Sequence, residues 1–343
     1  MSNYVFDRNK KCIQGISRNL ERLPDYCLDF ILGIENYTSP LTRLNYSQDL
    51  CVFFDYLSNN VFDKNVKDIT LKDLDTLKTK DLELFISNLS FYEYNGKQFH
   101  NGEKGKARKI ATIRSFFKYN YKLDNLSNDV ASKIDTPKIH SKEIIRLEVD
   151  EVCKLINEAE SPEHLTKMQQ AFNKHTKTRD VAMLSLFLAT GIRVSECVGI
   201  NINDIDFKNN SFKVTRKGGN QVILYFSDEV KHSLLKWLED RNKILDENSK
   251  ETALFVSLQK KRISTRAVEN LVKKYSQIAS PLKKISPHKL RSTYGTNLYR
   301  ETGDIYVVAE VLGHKDVNTT KRHYAAMSED IRRSVANKVK LRD

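Results

Sequence analysis

Apolar residues recur at helical spacing through the first 130 positions. Ser39-Pro40 predicts a helix start, a cap hydroxyl directly ahead of an N1 proline. Behind it Leu41, Leu44, Val52, Phe53, Tyr56 and Leu57 share one face. Thr79 predicts the cap of a second helix, on which Leu82, Phe85, Ile86 and Leu89 fall at i, i+3, i+4 and i+7. A third is predicted from about Lys106 to Tyr121 with Ile110, Ile113 and Phe117 inward, and Pro24 opens an earlier one. Four such helices can close a small bundle. About 20 residues precede it.

Residues 132–147 (SKIDTPKIHSKEIIRL) break that period, hold Pro137 and are net basic. They read as a linker between a domain over 1–131 and a second over 148–343. A new helix is predicted near Glu148. Residues 161–178 read as a polar insertion, followed by a buried helix from Asp180 to Ala189. After Ile200 the period shortens. Ile205–Phe207, Ser211–Thr215 and Gln221–Phe226 read as three short antiparallel strands, with Lys217-Gly218-Gly219-Asn220 as the last turn. Helices return at 228–247, 265–275, 287–301 after Ser286-Pro287, and 304–312 before Gly313. Ser328 predicts a last one over 329–341, whose Ile331, Val335 and Val339 form an apolar stripe in need of a partner.

Composition narrows the class. The 343 residues hold 57 Lys and Arg against 44 Asp and Glu, a net charge of +13. An excess of that size in a well-patterned chain favours a polyanion, and nucleic acid is the default. The third helix concentrates it. Lys104, Lys106, Arg108, Lys109, Arg114, Lys118 and Lys122 occur there with no Asp or Glu between them. A solvated helix face normally mixes signs, so this one points to DNA phosphates, whose neutralisation releases counterions. Five scattered cysteines with no CxxC argue against a disulfide framework or structural zinc and fit a reducing cytosol. The longest apolar stretch, Val181 to Ala189, is too short to cross a membrane, and the N-terminus has no apolar signal core. A soluble, cytoplasmic protein with no membrane role is expected.

Four local patterns in the second half carry chemistry. Thr190-Gly191-Ile192-Arg193-Val194-Ser195-Glu196 puts an arginine after a tight turn. Lys217 sits at a hairpin tip. Pro287-His288-Lys289-Leu290-Arg291 puts a histidine and an arginine at i, i+3, early in a helix. Leu312-Gly313-His314 ends a helix on a histidine, and Tyr324 follows ten residues later. Each alone is an ordinary surface or core feature. Together, two arginines, a lysine and two histidines can surround a phosphate diester that a tyrosine attacks. The N-terminal end of the helix at Pro287 adds positive potential.

In this order, Arg…Lys…His-x-x-Arg…Gly-His…Tyr resembles the signature of the tyrosine recombinases, which include phage-type integrases and Cre-like and Xer-type enzymes. ATGIRVSE, VTRKGGN, SPHKLRST and LGHKDVNTTKRHY look like that family's boxes, so the likeness is strong over about 148–341. It implies a mainly α fold: a SAM-like helical core-binding bundle, then a mixed α/β catalytic domain with a small three-stranded antiparallel sheet. It implies that Tyr324 attacks the scissile phosphate, giving a 3′-phosphotyrosine and a free 5′-hydroxyl. Arg193 and Arg291 would clamp the non-bridging oxygens, and Lys217 would protonate the leaving oxygen. His288 would act as general acid/base near the tyrosine, and His314 would hydrogen-bond the phosphate. Glu196 would orient the basic residues. Ser292, where many relatives carry His or Arg, leaves that set intact, and His323 is a lesser candidate base. No cofactor, no metal and no Mg²⁺ requirement are expected, and the absence of GxxxxGK[ST] fits an ATP-independent reaction. The expected partner is double-stranded DNA with a specific recombination site, bound by a monomer or dimer per site and by a homotetramer on two sites. A type IB topoisomerase that only relaxes supercoils and a non-catalytic DNA-binding regulator are the alternatives. Chromosome-dimer resolution and mobile-element integration or excision stand about even.

Overall fold

Prolines and capping side chains set where most helices begin. In a computed structural model of the protein, which describes residues 3–140, 145–216, 219–246, 249–314, 316–318 and 320, the chain packs as two units, Met1–Lys142 and Glu143–Asp343.

The first unit runs α1 (Asn3–Leu20), α2 (Tyr26–Gly33), α3 (Pro40–Leu57), α4 (Leu71–Asp75), α5 (Thr79–Asn88), a hairpin of β1 (Tyr92–Tyr94) and β2 (Lys97–Phe99), and α6 (Glu103–Lys122). Ser39 Oγ accepts the Thr42 N–H at 3.2 Å, with Pro40 first in the helix. α5 is capped one residue earlier than expected. Lys78 is its N-cap, and the Asp81 carboxylate takes the Lys78 N–H at 2.8 Å. The core is aromatic: Phe30, Phe53, Phe54, Phe85, Phe116 and Phe117 are all fully buried. Phe30 meets Phe116 edge-on at 5.4 Å between centroids, and Phe53 meets Phe85 at 5.1 Å. α3 presents Phe54 rather than Leu41 to this core, and its buried side also holds Asp49 and Ser47.

The second unit runs α7 (Val149–Glu160), α8 (Lys167–Thr190), α9 (Val194–Gly199), β3 (Ile205–Asp206), β4 (Ser211–Thr215), β5 (Gln221–Tyr225), α10 (Asp228–Ile244), α11 (Thr265–Ala279), α12 (Pro287–Thr302) and α13 (Ile305–Leu312). The three strands pair antiparallel in chain order, with Phe212 opposite Leu224 and Val214 opposite Val222. The architecture is mainly helical with this one small three-stranded sheet in the second unit, the class expected from the sequence. The polar insertion is not as expected. Only its first residues are irregular, because Thr166 and Gln169 form a reciprocal cap and α8 starts at Lys167. Two of its polar residues, Asn173 and Thr176, face inward while most of the others are exposed: Asn173 donates to the Tyr275 hydroxyl at 2.7 Å, and that hydroxyl donates to Asp180 at 2.8 Å. Among the described residues no helix is long and apolar enough to cross a membrane. Lys217, His323, Tyr324 and the stripe Ile331, Val335, Val339 lie outside the described residues.

Candidate functional site

α8 ends at Gly191, whose φ of 59° lies in the left-handed region. A Cβ there would stand 2.4 Å from Tyr294 Cδ1 and 2.9 Å from Leu312 Cδ2. Glycine is needed for both the turn and the close approach of α12 and α13. Two residues on, Arg193 is the extended N-cap of α9. Its Nη1 donates to Glu196 Oε1 at 2.8 Å and its Nη2 to the Gly313 carbonyl at 3.3 Å. Glu196 Oε2 accepts the Arg193 backbone N–H at 3.1 Å. The buried carboxylate therefore fixes both the backbone and the fork of one arginine.

Arg291 lies one turn into α12 and is 5% exposed. Its Nη1 donates to the Gly191 carbonyl at 2.6 Å, and its Nη2 to the Leu312 carbonyl. Carbonyls orient a guanidinium without neutralising it. At the far side, α13 closes on Gly313 in the left-handed region (φ 63°). The Gly313 N–H returns to Glu310 O and the His314 N–H to Ala309 O, both at 2.9 Å. His314 Nδ1 is 2.7 Å from the fully buried Thr320 hydroxyl, which orients the ring. His288 is exposed in the first turn of α12, one turn before Arg291.

Sequence reasoning missed Arg216. It follows β4, its Nη2 donates to the Val311 carbonyl at 2.9 Å, and its guanidinium occupies the space that a Cβ at Gly313 would take. Burial pulls this guanidinium below its ordinary pKa; Glu196 opposes the shift and Arg193 adds to it. The signal was legible, since period-two alternation places Arg216 on the inward face with Phe212 and Val214. The structure thus gathers Arg193, Glu196, Arg291, Arg216 and the Gly313–His314 segment, with His288 at the start of α12. Tyr294, the neighbouring tyrosine, has its hydroxyl pKa raised by burial, which disfavours the phenolate.

On α6 the basic residues split. Lys104 and Lys118 are exposed. Lys106 donates to Ser90 Oγ at 2.6 Å, and Arg114 donates to Ile134 O and, at 3.1 Å, to Thr136 Oγ1. Arg108 bonds Asp49 while keeping about half of its side chain exposed. Lys109 corrects the sequence reading: it is 5% exposed and its ammonium lies 3.3 Å from Asp49 of α3. A segment without acids still neutralises a lysine when the acid arrives from another helix. Among the described residues there is no group of three or more His, Cys, Asp or Glu able to hold a metal.

Residues 146–330 match the sequence profile of the phage integrase family. Over 308 residues the chain is 34% identical to the tyrosine recombinase XerC of Caldanaerobacter subterraneus subsp. tengcongensis, covering 87% of this chain and 81% of that protein. It is 31% identical over 291 residues to the tyrosine recombinase XerD of Oceanobacillus iheyensis, with 84% and 89% covered. A solved structure of the XerH site-specific recombinase bound to a palindromic difH substrate matches in fold, with a TM-score of 0.67, 18% identity, and 87% and 80% covered.

Proposed function

From the premise that the chain belongs to the phage integrase family of tyrosine recombinases, we propose that it cleaves and rejoins duplex DNA at a specific site and exchanges strands between two such sites. The observation that carries this is the convergence of Arg193, Arg291 and the Gly313–His314 segment on the carbonyls that follow α8 and close α13.

The chemistry follows from what a phosphodiester lacks. Its charge repels nucleophiles, and a tyrosine hydroxyl of pKa about 10 is a weak one. The planar forks of Arg193 and Arg291 suit the non-bridging oxygens. Their held orientation supports charge stabilisation without reorganisation in the transition state. Tyr324 Oη forms a bond to phosphorus as the bond to the 5′-oxygen breaks. His288 takes the tyrosine proton and Lys217 gives one to the leaving oxygen. His314 hydrogen-bonds the phosphate, and Glu196 holds Arg193. The phosphotyrosine conserves the bond for rejoining, where a second 5′-hydroxyl reverses the step through a Holliday junction.

The first unit supplies DNA contacts, with exposed Lys104, Arg108 and Lys118 on α6 as the phosphate-facing set, and the second carries the chemistry. Residues 132–147 link them. A single site takes a monomer or a dimer, and two sites brought together for strand exchange take a homotetramer, two protomers to each. Five cysteines without a disulfide support a reducing, cytoplasmic setting.

The test is a supercoiled plasmid with two copies of the site the protein selects from a random duplex library. Recombinant circles are expected. Relaxation without exchange would mark a topoisomerase, and binding with neither product would mark a regulator.

A further inference from the structure

Helix α13 ends with an unusual distribution of partners. The last four carbonyls of an α-helix have no partner within the helix. Here Ala309 O and Glu310 O are taken by the N–H groups of His314 and Gly313. The next three carbonyls each accept from a different arginine: Val311 O from Arg216, Leu312 O from Arg291, and Gly313 O from Arg193. These arginines come from three separate elements, the end of β4, α12 and the N-cap of α9. The negative end of the α13 dipole favours all of them.

We infer that Arg216 is a positioning residue for DNA cleavage, which sets the α13 terminus so that Arg291 and Arg193 hold their forks in the phosphate-binding orientation. Two features require its planar side chain. Its fork donates to Val311 O at 2.9 Å, and a Cβ at Gly313 would lie 1.8 Å from Arg216 Nη1, so the guanidinium fills the space that a side chain at 313 would take. Its Nε is buried and has no hydrogen-bond partner among the described residues. That unsatisfied donor costs stability, so the contacts made by the rest of the fork and its packing are what retain the group. Moving Val311 moves Leu312 and Gly313, the anchors of the other two arginines. Misplacement by about 1 Å at a reacting centre costs about 10²-fold in rate.

The inference rests on the proposed role of Arg291, and the experiment separates the two. Single-turnover covalent adduct formation is measured on a duplex carrying the selected site, for the parent, Arg216→Ala, Arg216→Lys, Arg291→Ala and the Arg216→Ala/Arg291→Ala double variant. DNA affinity and thermal midpoint are measured alongside. Arg216→Ala is expected to slow cleavage by about 10²-fold with affinity near that of the parent. Arg216→Lys keeps the charge and the aliphatic stem, so it still supplies a test should the alanine variant not fold. It is expected to recover only part of the rate, because lysine lacks the fork. The double variant is expected to be no slower than Arg291→Ala, since residues acting as a unit are not additive. Full recovery by lysine would make Arg216 a source of charge alone, and full additivity would make it independent of Arg291. Disappearance of the defect on a duplex with a bridging 5′-sulfur would place its action on the leaving group. Any of these three overturns the inference. An Arg291→Ala variant that cleaves like the parent would instead overturn the role of Arg291, and with it this extension.

Discussion

Expelling the 5′-oxygen of DNA is hard because its conjugate acid is about as weak as water, pKa ~15.7. A positioned proton donor is worth about 10²–10⁴-fold. A bridging sulfur leaves as a thiolate, of pKa about 8.5 by analogy with cysteine, and needs little protonation. Lys217→Ala is therefore expected to be badly impaired on normal DNA yet to cleave a 5′-thio duplex nearly as well as the parent. Arg193→Ala should be impaired on both, because the role proposed for its fork is on the non-bridging oxygens. Normal cleavage of both substrates by Lys217→Ala would make it a solvated hairpin residue, and a large defect on both would make it a binding residue. Arg193, His288, Arg291 and His314 were legible from order and spacing, because the turn glycines and Pro287 that present them are local features. Arg216 was not singled out. Its neighbour Lys217 drew the chemical reading, and what gives Arg216 importance is a carbonyl 95 residues away.

At the scale of elements, local chemistry was readable where a cap, proline or glycine fixed the boundary. α3, α12 and the three strands in the second unit follow from such signals. α8 was read as half its length because its N-terminal half buries polar groups, whose partner Tyr275 is far away in sequence. α1 was not assigned at all, although Cys12 and Ile16 are buried on it. The β1–β2 hairpin had a local signal in Asn95-Gly96, both with positive φ, the arrangement of a tight hairpin turn. Gly191 and Gly303 both end helices in the left-handed region, but only Gly191 is crowded. Gly303→Ala is expected to cost about 1–2 kcal/mol for backbone strain. Gly191→Ala adds overpacking against Tyr294 and Leu312, about 1–3 kcal/mol more. Urea unfolding of the two variants compares them directly. Equal costs would mean that α12 and α13 move aside freely, contrary to the close approach described for the site.

For the whole molecule, the net charge of +13 pointed to a polyanionic partner before any motif did. It did not say which cations face that partner. Lys109 shows the reason: a charge run is counted along one helix, whereas Asp49 meets it from another. The break in helical period suggested a linker over 132–147, whereas the two compact units divide between Lys142 and Glu143, and the first unit's aromatic core is closed by Val130, Ala131 and Ile134 after α6, which needed the fold. The proposed cleavage centre combines the arginine-lined terminus of α13 with a nucleophile twelve residues beyond Leu312. The proposed nucleophile is Tyr324, and covalent capture tests it most directly. The protein is incubated with a duplex carrying its selected site and a nick that lets the cleaved strand diffuse away, then denatured and resolved on a gel. The parent should give a protein–DNA adduct whose proteolysed peptide carries the nucleotide on Tyr324. Tyr324→Phe should bind the same duplex with near-parent affinity and give no adduct. An adduct of undiminished yield in Tyr324→Phe, or one mapped to Tyr294 or Tyr299, would contradict it.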